Sequence, residues 1–317
     1  MKETKCLRYI EPEKPVIEYI KRKTPGPDEV GIDIISSSLC NTSELRSFRG
    51  GYENGYGSSY PMQYGEPGHE AVGKITSVGS DVKVFGIGDL VAMTGHGGDP
   101  CHRSHVIRNF RHIALLKPGK RNVSDAAMLE MFGCAYHCAV AAGSMEFYKE
   151  KSVLVTGLGS MGLCTVQILR NIPGISITAS DIVDERLEIA IKCGAEKAIH
   201  PENAGGETYD VVIECSGSVP GQELAFRLAP RTLIFSSYST KEVRLRQNLL
   251  FDANTTIYNP GILTSENFIK VVSLYNKGKI NPSLLVSNEI NADIEEYNEA
   301  IEEIVSGKII KTIMKWK

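Results

Sequence analysis

No apolar run in the 317-residue sequence approaches the ~20 residues that span a bilayer, so no transmembrane helix is expected. Charge of one sign is also lacking: 35 Lys+Arg stand against 38 Asp+Glu, a formal net of −3. Phosphate backbones need a basic face, so this balance argues against nucleic acid as the partner. Internal repeats and low-complexity linkers are absent. The stretch from Met1 to Pro15 alternates charges with prolines and has no apolar signal-peptide core, so a cytoplasmic protein is expected. Its eight cysteines are then not expected to pair. They are either small buried hydrophobes, or one or two of them hold a metal.

What is present is ordinary globular material, 42% hydrophobic and 23% charged, long enough for two domains at ~100–200 residues each. Up to about residue 123 the chain is rich in β-branched residues, Gly, Pro and Tyr. Short apolar stretches such as Val30–Ile35 and Val72–Val78 are separated by turns like Pro25-Gly26-Pro27-Asp28. That is a mainly β domain. From Ser124 the pattern becomes α/β, with helix and strand alternating: strands at Val153–Thr156 and Ile175–Ala179, helices over Ser160–Asn171 and Asp184–Cys193, with Gly194 as a C-cap. Asp210–Glu214, Leu233–Ser236 and Thr255–Tyr258 read as later strands, so a doubly wound parallel sheet is expected. After Lys279 come an amphipathic helix, Asp293–Val305, and a closing strand, Ile309–Met314. A lone helix and strand cannot bury themselves, so they are expected to return to the first domain. The expected division is 1–123 with 281–317, and 124–280.

Gly157-Leu158-Gly159-Ser160-Met161-Gly162 is a G-x-G-x-x-G run that follows one strand and opens a helix, with Asp181 at the end of the next strand. That is the context a dinucleotide fingerprint requires. Gly157 permits the tight turn, Gly159 clears space for a pyrophosphate, and Gly162 lets helix and strand pack closely. The phosphates would lie on the free N–H groups of the first helical turn, at Ser160 and Met161. Asp181 can accept from both ribose hydroxyls and repels a 2′-phosphate, which favours NAD. Arg186 either braces the ribose or tolerates that phosphate.

Cys40-Asn41-Thr42 and Gly68-His69-Glu70, in Pro67–Gly73, supply thiolate, imidazole and carboxylate, the usual zinc donors. With Gly88-Asp89-Leu90-Val91 and the fingerprint ending in Asp181, these runs resemble, over nearly the full length, the zinc-dependent medium-chain dehydrogenase/reductase superfamily of alcohol, sorbitol and threonine dehydrogenases. The resemblance implies a GroES-like catalytic domain beside a Rossmann coenzyme domain. It implies one catalytic zinc on Cys40 and His69, with Glu70 or Glu130 as third donor or water-mediated neighbour and Cys134 as a weaker rival. It also implies Thr42 as proton relay, NAD as hydride carrier, and an alcohol or ketone as substrate. Three protein ligands leave the open position catalysis needs. The last Rossmann strand, Thr255–Tyr258, is an edge strand that would pair across a twofold axis in a homodimer or homotetramer.

The chain departs from the family pattern in several places. Only Cys101 stands where larger members carry four clustered cysteines, so the structural-zinc lobe is expected to be missing. Cys101, His102 and His105 are more in keeping with a solvated loop than with a second metal. Ser43 and Glu44 follow Thr42 where many members have Asp, and Leu45 replaces a frequent His. The fifth Rossmann strand ends in Ser236-Ser237-Tyr238-Ser239, where Tyr238 would narrow the nicotinamide pocket. Between Cys40 and His69, the Arg, Tyr, Glu and Gly residues of 46–60 suggest a polar substrate such as a polyol, sugar or aminocyclitol. His137, Arg46 and Arg49 are pocket candidates. Two competing readings remain: a zinc-free NADPH-dependent quinone or enoyl reductase, and a non-catalytic NAD-binding protein.

Overall fold

The computed structural model describes residues 2–51 and 59–316. The chain divides into two compact units, Met1–Glu130 with Phe268–Gly278 and Leu285–Lys317, and Met131–Asn267 with Lys279–Leu284. Ser124–Glu130, grouped above with the second domain, pack in the first unit.

The first unit begins with a hairpin, β1 (Glu3–Glu11) and β2 (Lys14–Lys21), followed by β3 (Glu29–Ser38) and helix α1 (Asn41–Arg49). Next come β4 (Glu70–Val78), β5 (Leu90–Met93), β6 (His105–Asn109) and β7 (Ile113–Leu115). Ser124 opens a 3₁₀ turn that leads into α2 (Leu129–Ala139), so one continuous helix from Ser124 does not form.

The second unit holds β8 (Ser152–Thr156), α3 (Ser160–Leu169), β9 (Ser176–Ser180), α4 (Asp184–Cys193), β10 (Lys197–Ile199), β11 (Val211–Glu214), α5 (Val219–Leu228), β12 (Thr232–Phe235), α6 (Gln247–Asp252) and β13 (Thr256–Tyr258). Its six strands are all parallel, in the order β10-β9-β8-β11-β12-β13. Continuous burial of β8, β11 and most of β12 explains their unbroken apolar sequence: helices cover both faces of a parallel sheet. The order leaves β13 at one edge.

Helix α7 (Ser265–Asn276) leads into the C-terminal return, which adds β14 (Val286–Asn291), α8 (Ile294–Ser306) and β15 (Lys311–Lys315). In the first unit β15 pairs parallel to β14 and antiparallel to β3, completing a seven-stranded sheet of order β14-β15-β3-β4-β5-β7 with β6 on the free part of β3. The terminal helix and strand do bury themselves against the first segment. Tyr297, Ala300, Ile301 and Ile304 form one buried stripe of α8 at helical spacing. Asp293 caps that helix by accepting from the N–H of Glu295 at 2.8 Å, and Gly307 ends it at φ +72°. The stripe joins Leu7, Tyr9, Ile32, Ile75, Val91 and Trp316 in one core.

Candidate functional site

Strand register brings the first site together. In the β3–β4 ladder Ser38 lies opposite Glu70, so the residues just beyond each strand end, Cys40 and His69, become neighbours. Cys40 is the N-cap of α1, with an extended backbone. The Cys40, His69 and Glu70 donor atoms all lie within 4.8 Å of one another. His69 Nδ1 stands 2.9 Å from the Pro67 carbonyl. A carbonyl only accepts, so Nδ1 donates to it, and Nε2 is the ring atom left to face Cys40 and Glu70. Burial pushes the Cys40 thiol up, but the charge and hydrogen bond of the adjacent imidazole, with Lys311, bring it below its ordinary value. Burial lowers the His69 imidazole, but Cys40, Glu130 and Glu70 together hold it well above its ordinary value. Glu130, buried, thus contributes its charge to this cluster.

Two features here escape motif reading. The first is Lys311, which is fully buried on β15. Its ammonium lies 2.7 Å from both Glu70 oxygens and 2.9 Å from the Leu39 carbonyl. All three ammonium protons are therefore used, and lone pairs remain on the carboxylate. The available signal was a lysine inside the apolar run Ile309–Met314.

The second is a buried chain of polar groups behind α1. Trp316 Nε1 donates to Ser37 Oγ at 2.8 Å, and Ser37 Oγ lies 2.9 Å from His102 Nδ1. His102 Nε2 lies 2.8 Å from Glu44 Oε1. Burial and the Glu44 carboxylate keep the Tyr297 phenol protonated, and it donates to Glu44 Oε2. Tyr9 and Tyr297 hydroxyls meet at 3.1 Å. Each group finds a partner, which is what burial at this depth requires. The Glu44 N–H donates to the Cys40 carbonyl at 2.8 Å, so the chain ties the helix carrying Cys40 to β15 and α8. Glu44→Ala would leave His102 and Tyr297 unpaired. It is expected to cost roughly 2–5 kcal/mol in urea unfolding.

His102 and His105 do not meet Cys101 as a metal group. His102 is held by Glu44 and Ser37, His105 by Asp33 at 2.7 Å, and burial pushes the Cys101 thiol up. Thr42 is exposed on the first turn of α1. His137 belongs to the second unit, with Nε2 3.0 Å from the Pro260 carbonyl and Nδ1 2.8 Å from the Asn267 amide. Cys134, half-buried, is also in that unit. Arg46 and Arg49 lie on α1, and the part of the substrate segment over 52–58 falls outside the described residues.

In the second unit a pocket of about 640 Å³ is lined by Gly157, Gly159, Asp181, Ile182, Arg186 and Arg227, among others. Gly157 has φ +81°, and a Cβ there would stand 2.4 Å from the Ser216 backbone. A Cβ on Gly162 would stand 2.0 Å from the Gly157 carbonyl, whereas one on Gly159 would meet nothing within 4 Å. Gly159 is the N-cap of α3, so the N–H groups of Ser160 and Met161 lie in the unsatisfied first turn. Asp181 accepts from the Leu158 N–H at 2.5 Å and the Val183 N–H at 3.0 Å, joining the glycine turn to the end of β9. Arg186 lies 3.9 Å from it. Glu214, fully buried, accepts from the Ser216 and Gly217 N–H groups and from Ser237 Oγ, shaping the opposite wall.

The seven-stranded sheet of the first unit and the six-stranded parallel sheet of the second define the class: a two-unit α/β fold of Rossmann type. Residues 26–145 match the alcohol dehydrogenase GroES-like domain family. The chain is 26% identical to the L-threonine 3-dehydrogenase of Deinococcus deserti, covering 92% of this chain and 93% of that one. Solved structures with the same fold include galactitol-1-phosphate dehydrogenase from Escherichia coli (20% identity, TM-score 0.82, 98% of this chain and 99% of that chain). Another is 2R,3R-butanediol dehydrogenase from Bacillus subtilis (19% identity, TM-score 0.82, 98% and 99%). Over nearly its whole length the chain is thus similar to dehydrogenases of the medium-chain type, and it is an alcohol dehydrogenase-like oxidoreductase. No helix among the described residues is long and apolar enough to cross a membrane.

Proposed function

We propose that the protein exchanges hydride between a polar secondary alcohol and NAD, with one catalytic zinc. The observation that carries this reading is the convergence of Cys40, His69 and Glu70 donor atoms within 4.8 Å. Soft thiolate, imidazole and carboxylate suit zinc, and a metal bound there would take the place of the His69 Nε2 proton that the cluster's negative charge favours. Cys40 and His69 would hold the metal, with Glu70 or Glu130 as the third donor. Bound zinc supplies Lewis acidity that polarises the substrate oxygen and lowers its pKa. NAD supplies the hydride acceptor.

The chain's own residues account for the rest. Pro67 fixes the His69 tautomer. Lys311 balances the charge of Glu70, so the cluster does not gather uncompensated carboxylates. Thr42, two residues beyond Cys40 and exposed, takes the proton leaving the alcohol and passes it to water. Gly159 and the first turn of α3, at Ser160 and Met161, receive the pyrophosphate. Asp181 keeps lone pairs for ribose hydroxyls after accepting its two N–H bonds, and Arg186 lies against the same ribose. Threonine and galactitol 1-phosphate, named for the relatives, are secondary alcohols flanked by polar groups, in line with the polar residues of 46–60.

The test is a screen of polyols, sugars, aminocyclitols and amino alcohols with NAD and added zinc, followed by absorbance of the reduced coenzyme. Activity with at least one substrate, abolished by chelation and restored by zinc, is expected. Purified protein with less than about half an equivalent of zinc, or activity indifferent to chelation, would rule the reading out. Asp181→Ser is expected to raise KM for NAD at least tenfold and to narrow its advantage over NADP. An unchanged KM would remove Asp181 from the coenzyme site. Edge strand β13 would pair with its symmetry mate in a homodimer or tetramer, and light scattering at micromolar concentration should then exceed the 34.7 kDa of one chain.

A further inference from the structure

Arg108, on β6, is fully buried. A guanidinium stays charged in a folded protein, so burying one without a carboxylate is costly. Among the described residues Arg108 has no carboxylate within ion-pair distance. The Asp99 carboxylate is taken by Arg103 Nη1 at 3.0 Å, the Ile107 N–H at 3.0 Å and Lys23 at 3.7 Å. Arg108 Nε is buried without a partner, which adds to the cost. What the fork meets is backbone. Nη1 donates to the Asp99 carbonyl at 2.7 Å, and Nη2 donates to the carbonyls of Thr94 and His96.

Those three carbonyls belong to one loop, Thr94–Asp99, and lie outside any helix or strand. They need donors from elsewhere, and no neutral side chain of that length carries enough of them. The charge therefore stays in the interior because only the planar fork reaches all three. Arg108 is itself fixed. Its strand pairs with β3, where it lies opposite Val30. The loop is laced to the same strand, with the Asp99 N–H donating to Ile107 at 3.0 Å and the Asn109 N–H to Gly97 at 2.7 Å.

The loop and its continuation grip His69 from two sides. On one side, a Cβ on Gly95 would stand 3.0 Å from His69 Cβ, so the loop backbone lies directly against the imidazole's stem. On the other, the Cys101 N–H donates to the Gly68 carbonyl at 2.7 Å, and a Cβ on Gly68 would stand 2.4 Å from the His102 nitrogen. We propose that Arg108 is a positioning residue of the metal site, an inference that rests on the zinc reading above. By drawing three carbonyls onto one buried cation it holds Gly95 against His69, and so sets where the imidazole stands relative to Cys40 and Glu70. Arg108 touches neither metal nor substrate and acts through the loop. Lysine keeps the charge but places it on a flexible stem without the fork, so it does not hold the three carbonyls in one arrangement.

The test compares wild type with Arg108→Lys and Gly95→Ala. Gly95 is only partly buried and its φ is not positive, so alanine there adds one methyl group against His69 without backbone strain. Zinc affinity is measured by competition with a chromophoric chelator, and cobalt(II) in place of zinc reports ligand geometry through its visible absorption. Both variants are expected to bind zinc at least tenfold more weakly and to shift the cobalt band. A residue that only stabilised the fold would lower the melting temperature and leave both readouts of the folded protein unchanged. Hydrogen exchange on metal-free protein gives a measure without any metal. In Arg108→Lys the amides of Cys101 and His102 should exchange at least tenfold faster, with those of β8 unchanged. If Arg108→Lys fails to fold, Gly95→Ala decides, since unchanged zinc affinity there would overturn the proposal by itself. Wild-type protein that takes up neither zinc nor cobalt would refute the zinc reading and this inference together. Tight binding by the wild type beside unchanged affinity and absorption in either variant, or unchanged exchange at Cys101, would overturn the inference and leave the zinc reading standing.

Discussion

Cys40→Ser is expected to lower kcat/KM for the best alcohol more than 100-fold and to reduce zinc in the purified protein to a small fraction of an equivalent. Loss of a partner outside the ligand set costs ~10–100-fold in metal affinity or activity, and loss of a ligand should exceed that. The reason is electronic. A thiolate brings charge and softness to the metal, and a serine hydroxyl stays protonated near neutral pH. The same substitution should not harm the fold. Cys40 is the N-cap of α1 and makes no side-chain cap bond, whereas serine is among the preferred N-caps. Unfolding in urea should therefore shift by less than about 1 kcal/mol. Loss of metal with unchanged stability separates a ligand role from a packing role. Full zinc content in the serine protein would remove Cys40 from the site.

Lys311→Met is expected to destabilise the protein by about 3–5 kcal/mol, because it leaves the fully buried Glu70 carboxylate without its partner. The Leu39 carbonyl loses a donor in the same change. For a unit of this size, melting should fall by roughly 10 °C. The double substitution Lys311→Met with Glu70→Gln should recover more than half of the loss, since no uncompensated charge then remains inside. Thermal melts of the two variants decide it. A single variant that melts with the wild type, or a double variant no better than the single, would show that the pair is not what holds β15 to β4. This measurement is independent of any substrate.

The elements most legible in the sequence are those whose determinants lie close together in the chain. Asp184–Cys193 with Gly194 as cap could be read directly, because periodicity, first-turn acids and a glycine at φ +110° are all local. The mixed α/β character and the parallel second sheet followed from alternating patterns. The 3₁₀ turn at Ser124–Met128 did not, since nothing in Ser124–Met128 separates it from a first α-helical turn. Strands β10 and β14 also passed unread. β10 is short, and β14 buries only Ile290 fully, so neither has a strong apolar signature.

At the candidate site the sequence by itself determined which donors are available: a thiol two residues before a hydroxyl, an imidazole beside a carboxylate, and a glycine turn with an acid one strand later. These are covalent neighbours, and their chemistry is fixed by residue type. Tertiary structure alone decided what each donor faces. Glu70 meets Lys311 across 241 positions, Glu44 meets Tyr297 across 253, and Ser37 meets Trp316 across 279. Those pairings arise because β15 returns to lie against β3, and strand register rather than sequence spacing sets which side chains share one buried space. A buried lysine or glutamate looks like any surface charge in the sequence until that return is made.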